Sequence, residues 1–321
     1  MNSFIFNFDM KKFLYKSILF LGVIISVVLL LLMFDGDRIE TNEYMAALTD
    51  KHKRIESIKK PKIILAGGSN LVFGIDSKKI EKELEIPVVN LGLHAQLGLK
   101  FILRELKDVA KTGDIIILAL EHSMDVSGNM ELKKMAAYHN SFAQKYLHDK
   151  ELKWFHKYVI QLDNYHLLYK QVVSNIFDKA KNNQVYSRNG LNEYGDGIYH
   201  LDIPSASVLG SRNIIKNDKT KEIDVLNDFH LFAKENNIQV LFSYGAYEIS
   251  EYEKNKDALK QVHDAIKQNL TFEVISELED FVYPTSYFFD SVYHLNKTGR
   301  STHTNKLISR IKNSQIFTRI P

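Results

Sequence analysis

The run DIIILAL at residues 114–120 is the feature that most restricts how this chain folds. From Ile115 to Leu120 every side chain is apolar. A strand points successive side chains to opposite faces, so an unbroken apolar run needs cover on both faces, as in a parallel sheet. Short runs of the same kind recur as KIILA (62–66), PVVNLG (87–92), IQVLFSY (238–244) and LTFEVIS (270–276). Between them stand segments with helical spacing: 77–85 with Ser77 as N-cap, 97–113 closing on Gly113, then 221–237, 254–269 and 296–313. Strands alternating with helices predict βαβ units with right-handed crossovers. The expected fold is therefore α/β, a three-layer α/β/α sandwich around a mostly parallel sheet.

Composition narrows the function classes. With 321 residues, 45% of them hydrophobic, the chain can bury a sizeable core. Net charge is only +3, from 42 basic and 39 acidic residues. With no basic stripe interleaved with aromatics, no nucleic-acid partner is expected. The stretch KHKRIESIKK mixes its lysines with glutamate and apolar residues, as a solvated linker or helix face does. The absence of cysteine removes disulfides, thiolate nucleophiles and cysteine-ligated metals. No HExxH-type spacing points to a metal. GGSN at 67–70 lacks both the Walker lysine and GxGxxG spacing, so no cofactor is expected.

Residues 17–34, SILFLGVIISVVLLLLMF, carry no charge. As a helix they would span roughly 27 Å, enough to predict a transmembrane anchor. Lys11, Lys12 and Lys16 precede the run, and Asp35, Asp37 and Glu40 follow it. The positive-inside rule then keeps residues 1–16 cytoplasmic and puts everything after Phe34 outside. A cleaved signal peptide is the alternative, but no small-x-small cleavage site follows. Residues 35–60 read as a linker or stalk, helical in part, and 61–321 as the main domain. Its rhythm breaks at about 121–220, an insertion with helical stretches near 130–149 and 151–180 and with turns and a small hairpin at 189–202.

Ligands gather at the carboxyl ends of strands in an open parallel sheet. Ser69 follows the first strand, Gly92 the second, Glu121 and His122 the third, and Tyr244 the fourth. A serine on a Gly-Gly turn can approach a substrate closely, but it is a poor nucleophile without a base. FFDSVYHLNKTG at 288–299 offers a base in His294 and a carboxylate partner in Asp290. Taken alone, GGSN reads as a turn and DSVYHLN as a capping loop. Together and in this order they read as a catalytic set.

GGSN, NLG at 90–92, and D…HLN…G at 290–299 resemble blocks of the SGNH (GDSL-like) hydrolase family. The resemblance covers most of residues 62–313 outside the insertion. It implies a flavodoxin-like sandwich with Ser69 as nucleophile, His294 as base and Asp290 as its partner. It also implies an oxyanion hole that includes the N–H groups of Ser69 and Gly92. Two departures stand out. The acid and base are spaced one residue wider than the family's Asp-x-x-His. The asparagine usual after the third strand is replaced by Glu121 and His122, so Asn70, His94, Glu121 and His122 are the remaining candidates for oxyanion or substrate contacts. The anchor plus this domain resembles proteins that modify acyl esters, acetyl above all, on bacterial surface polysaccharides. The substrate would be an acylated carbohydrate or other acyl ester, and such proteins often work beside a multi-spanning acyl donor protein. The alternative is a catalytically inactive SGNH-like module that binds glycan or scaffolds an envelope assembly.

Overall fold

The computed structural model describes residues 10–33, 42–122, 125–147, 184–211 and 219–318. The chain divides into two units, residues 1–41 and 42–321. In the first, helix α1 (Met10–Met33) runs through most of the predicted anchor. Its side chains are described as far as Val27, and these are exposed. Residues 10–27 include Lys11, Lys12 and Lys16 and only the first part of the apolar run. Among the described residues, no helix is long and apolar enough to cross a membrane.

The second unit is an α/β domain with a parallel central sheet and helices on both sides. Strands β1 (Ile63–Gly67), β2 (Val88–Asn90), β3 (Ile115–Leu120) and β4 (Gln239–Tyr244) match the predicted runs, and β6 (Glu273–Val274) is shorter. The sheet order is β2-β1-β3-β4-β6, and each neighbouring pair is parallel. Ile63 to Gly67 pair with Ile115 to Ala119, and both central strands are buried along their length. This is why their apolar runs do not alternate. The main helices are α4 (Ser77–Leu84), α5 (Leu99–Val109), α7 (Thr220–Glu235), α8 (Ile249–Asn269) and α9 (Lys297–Lys312). Right-handed crossovers in this order require α5, α7 and α8 on one face and α4 on the other. The packing agrees: α5 lies against α7, α7 against α8, and α4 against α9.

Two readings of the sequence change. Residues 35–60, expected to be a linker, belong to the domain from Asn42 onward. A 3-10 turn at Tyr44–Ala46 leads into α2 (Ala47–Ser57), and Tyr44, Leu48, Lys51, His52 and Ile55 are buried. The polar residues that obscured its period are paired. His52 meets Glu105 at 2.7 Å, and Lys51 donates to the carbonyls of Asn90 and Gly195 at 2.8 and 2.7 Å. The insertion is only partly helical where described. Helix α6 (Met130–His139), capped by Asn129, gives way to a 3-10 stretch at Ser141–Leu147. The predicted hairpin at 189–202 is a set of turns with a single bridge between Leu191 and Gly197. The helical stretch expected at 151–180 lies outside the described residues. A short parallel pair, β5 (Tyr247–Glu248) with β7 (Val282–Tyr283), had no counterpart in the sequence reading.

Asp196 ties the insertion to the sheet. Its fully buried carboxylate accepts from the N–H and hydroxyl of Ser77 at 2.8 and 2.6 Å, from Asn90 Nδ2 at 2.8 Å and from Arg300 Nη2 at 3.3 Å. Removing one partner of such a pair strands the other charge in a dry site, which costs about 3–5 kcal/mol. Asp196→Ala is therefore expected to lose stability of that order in urea unfolding. An unfolding free energy within about 0.5 kcal/mol of the unaltered protein's would rule out this role.

Candidate active site

The sheet order reverses between β1 and β3, and a crevice opens there at the carboxyl ends of the strands. Ser69 follows β1 and Glu121 follows β3, so both flank this point. The two glycines before Ser69 are required by space. A Cβ on Gly67 would run into the carbonyl of Ala119. A Cβ on Gly68 would lie 2.7 Å from Glu121 Oε1 and 2.8 Å from Ala95 Cβ. Ser69 is the first residue of the short helix α3 (Ser69–Gly74), so its N–H belongs to the turn that has no intrahelical acceptor.

The base arrives from the far end of the chain. Phe289 N–H donates to His294 O at 2.8 Å and His294 N–H to Ser291 O at 3.2 Å, which folds residues 289–294 into a closed turn. Gly210 braces this turn from the insertion, donating to Asp290 O at 2.9 Å and accepting from Val292 N–H at 3.1 Å. The turn absorbs the extra residue between Asp290 and His294. His294 Nε2 lies 2.9 Å from Ser69 Oγ, and Nδ1 lies 2.8 Å from Asp290 Oδ1. The Phe73 ring packs 4.5 Å from the imidazole. Burial works against the charge on Asp290, but hydrogen bonds from His294 and Tyr186 outweigh it and hold the carboxyl below its ordinary range. An ionised Asp290 keeps the proton on Nδ1 and leaves Nε2 free to accept from serine.

Ser69 Oγ also lies 3.2 Å from Glu121 Oε1, so the one hydroxyl proton has two acceptors. Ser69, Glu121 and His294 line a cleft of about 670 Å³ together with His94, Gln96, Asp125, Asn129, Ser211, Ser291 and Tyr293. Most of the side chains that line it are polar, but apolar atoms make up a comparable share of its surface. His94 sits in the cleft with Nδ1 accepting from Gln96 N–H at 3.1 Å.

Three candidates take other roles. Gly92 N–H donates to Asn90 Oδ1 at 2.9 Å, and Gly92 does not line the cleft. Asn90 is turned this way because its Nδ2 is held by Asp196 and by Leu71 O at 3.0 Å. Asn70 is buried; its Nδ2 donates to Ala119 O at 3.1 Å and pins the serine turn to β3. His122 is 3% exposed, packed among Tyr244, Tyr247 and Tyr293, and does not itself line the cleft. Sequence reasoning missed Tyr186, whose hydroxyl donates to Asp290 Oδ2 at 2.5 Å. Nothing local marks it, because the contact spans 104 residues. Among the described residues, no group of three or more histidine, aspartate or glutamate side chains is arranged to hold a metal.

Burial pushes His122 down to about 4. Burial, reinforced by Arg300, does the same to His200, whose Nε2 reaches Leu295 O at 3.0 Å. Both are neutral when folded, whereas the unfolded chain takes up their protons near pH 6.5. Their stabilisation is present above pH 6.5 and declines as pH falls toward 4, by at most about 1.4 kcal/mol per pH unit for each. Urea unfolding between pH 7 and 4.5 should show this decline, and His122→Phe should make it shallower. An identical slope in the variant would contradict a buried neutral His122.

No family model matches the chain, and no curated protein or solved structure matches it either, so the site is read from its geometry.

Proposed function

We propose that this chain is an extracytoplasmic serine esterase or O-acyltransferase of the SGNH type, tethered by residues 17–34. Its substrates are ester-linked acyl groups, acetyl in particular, on a cell-surface polysaccharide. The observation that carries the reading is the hydrogen-bonded line Ser69–His294–Asp290, with links of 2.9 and 2.8 Å. Flavodoxin-like topology fits the sheet order β2-β1-β3-β4-β6.

Ser69 Oγ attacks the acyl carbonyl while His294 Nε2 takes its proton, and Asp290 stabilises the imidazolium. The tetrahedral oxyanion forms beside the Ser69 N–H at the start of α3. Collapse breaks the ester bond, and His294 returns the proton to the leaving alkoxide. The acyl-serine is then attacked by water, or by a sugar hydroxyl, whose proton His294 removes; collapse breaks the acyl–Oγ bond, and His294 gives that proton to Ser69. Water gives an esterase and a hydroxyl a transferase. The polar side chains that line the cleft suit a hydroxyl-rich partner such as a sugar. A transferase of this kind would draw its acyl group from a multi-spanning donor protein in the same membrane.

Two features favour a rival, a catalytically inactive SGNH-like module that binds glycan or scaffolds an envelope assembly. They are the engaged N–H of Gly92 and the carboxylate of Glu121 beside the nucleophile. Labelling separates the readings. A serine-directed phosphonate is expected to modify Ser69 in the intact protein, and Ser69→Ala to abolish both labelling and hydrolysis of activated acetyl esters, a loss of about 10³-fold or more. Absence of labelling in the unaltered protein would favour the inactive module, and full activity in Ser69→Ala would eliminate Ser69 as nucleophile. For the tether, a reporter fused after Pro321 is expected to be active only outside the cytoplasm; activity only inside would overturn the orientation.

A further inference from the structure

Resting on the serine-hydrolase reading, we infer that Tyr186 is a positioning residue for the Asp290–His294 pair, supplied by the insertion and held by the segment that begins the domain. Its hydroxyl donates to Asp290 Oδ2 at 2.5 Å and lies 3.1 Å from His294 Nδ1. His294 Nδ1 already occupies the other carboxylate oxygen, Oδ1, at 2.8 Å. Both oxygens of Asp290 are thus bonded, and the carboxylate cannot swing away from the imidazole without breaking a charge-assisted bond. This second donor matters here because Asp290 and His294 are four residues apart on a wide turn, which leaves the carboxylate's orientation to its surroundings.

Tyr186 is itself fixed on two sides. Its ring packs 5.2 Å from Phe73 of α3 and edge-on 5.9 Å from Tyr44. The backbone just after it is stitched to residues 42–50. Ser187 bridges Glu43, Arg188 N–H donates to Asn42 O at 3.1 Å, and the Arg188 guanidinium grips Asp50 with bonds of 2.5 and 2.6 Å. Burial, then the bond to Asp290, keeps the Tyr186 hydroxyl well above its ordinary range, so it remains a donor at working pH. The titratable groups facing the pair are Tyr186, His200 and, through Ser69, Glu121; Tyr44 faces Tyr186.

The test is Tyr186→Phe, which keeps the ring and removes the hydroxyl. Two readouts are taken: the pH dependence of Ser69 labelling by a phosphonate, and the low-field proton resonance of His294 Nδ1. Losing one donor to an ionised carboxylate should slow labelling about 10- to 100-fold. It should also move the acid limb to higher pH, because a less-bonded Asp290 stabilises the imidazolium more, and it should shift the Nδ1 proton signal. In an Asp290→Asn background the same change should add less than about twofold, since the effect passes through Asp290. Tyr44→Phe, which loses only the bond to Leu93 O, should leave the acid limb in place. Labelling at the original rate with an unmoved limb and resonance would overturn the inference. If Ser69 of the unaltered protein is not labelled, the hydrolase reading fails, and the resonance decides the positioning role by itself: a shift in Tyr186→Phe supports it, and none overturns it. If Tyr186→Phe does not fold, Tyr186→Leu, which also lacks a donor, carries the same readouts and the same deciding outcomes.

Discussion

The buried carboxylate of Asp196 is the constraint around which the domain is assembled. A charge with no solvent exposure must be met by donors on every side, or it costs more than the fold can supply. The donors come from Ser77 at the start of α4, Asn90 at the end of β2 and Arg300 in α9, and Arg300 also grips Ile75 O at 2.6 Å. One residue of the insertion thereby locks together three parts of the α/β layers. The effect reaches the rim that carries the candidate site. Asn90, held by Asp196 through its amide nitrogen, presents its oxygen to Gly92 N–H and takes that donor out of the cleft.

The site itself is an extended line of polar groups: Glu121, Ser69, His294, Asp290 and Tyr186. Four segments of chain supply them, since Asp290 and His294 share one turn. The parallel sheet places Ser69 and Glu121 side by side because β1 and β3 are neighbours in register. The closed turn at 289–294 brings the imidazole across, and the insertion adds Gly210 behind Asp290 and Tyr186 beside it. Much of the cleft is therefore shaped by residues outside the repeating strand–helix pattern.

Much of this was legible. The unbroken apolar runs of β1 and β3 reported strands covered on both faces, whereas the need for glycine at Gly68 comes from its packing against Glu121 and Ala95, which the sequence did not show. Ser69, Asp290 and His294 could be grouped because each sits at a recognisable break in the pattern. The segment at 42–57 was misread because lysine and histidine facing inward look like solvent-facing charges until their carbonyl and Glu105 partners are known. His122 stayed open in the sequence for a related reason: a histidine after a strand looks the same whether it meets a cleft or three tyrosines.

By itself the sequence determined the layers, the order of the elements and the rim on which chemistry would lie. Those follow from side-chain periodicity and from the two-faced burial of a parallel sheet, which are local properties. Only the tertiary structure decided which polar groups face one another. The engaged N–H of Gly92, the second acceptor at Ser69 and the hydroxyl of Tyr186 on Asp290 are contacts of a few ångströms between residues tens to hundreds of positions apart, apart from the local Asn90–Gly92 bond. Even that local bond takes its direction from Asp196, over a hundred positions away. Hydrogen-bond direction depends on such placement, and no repeat in the chain encodes it.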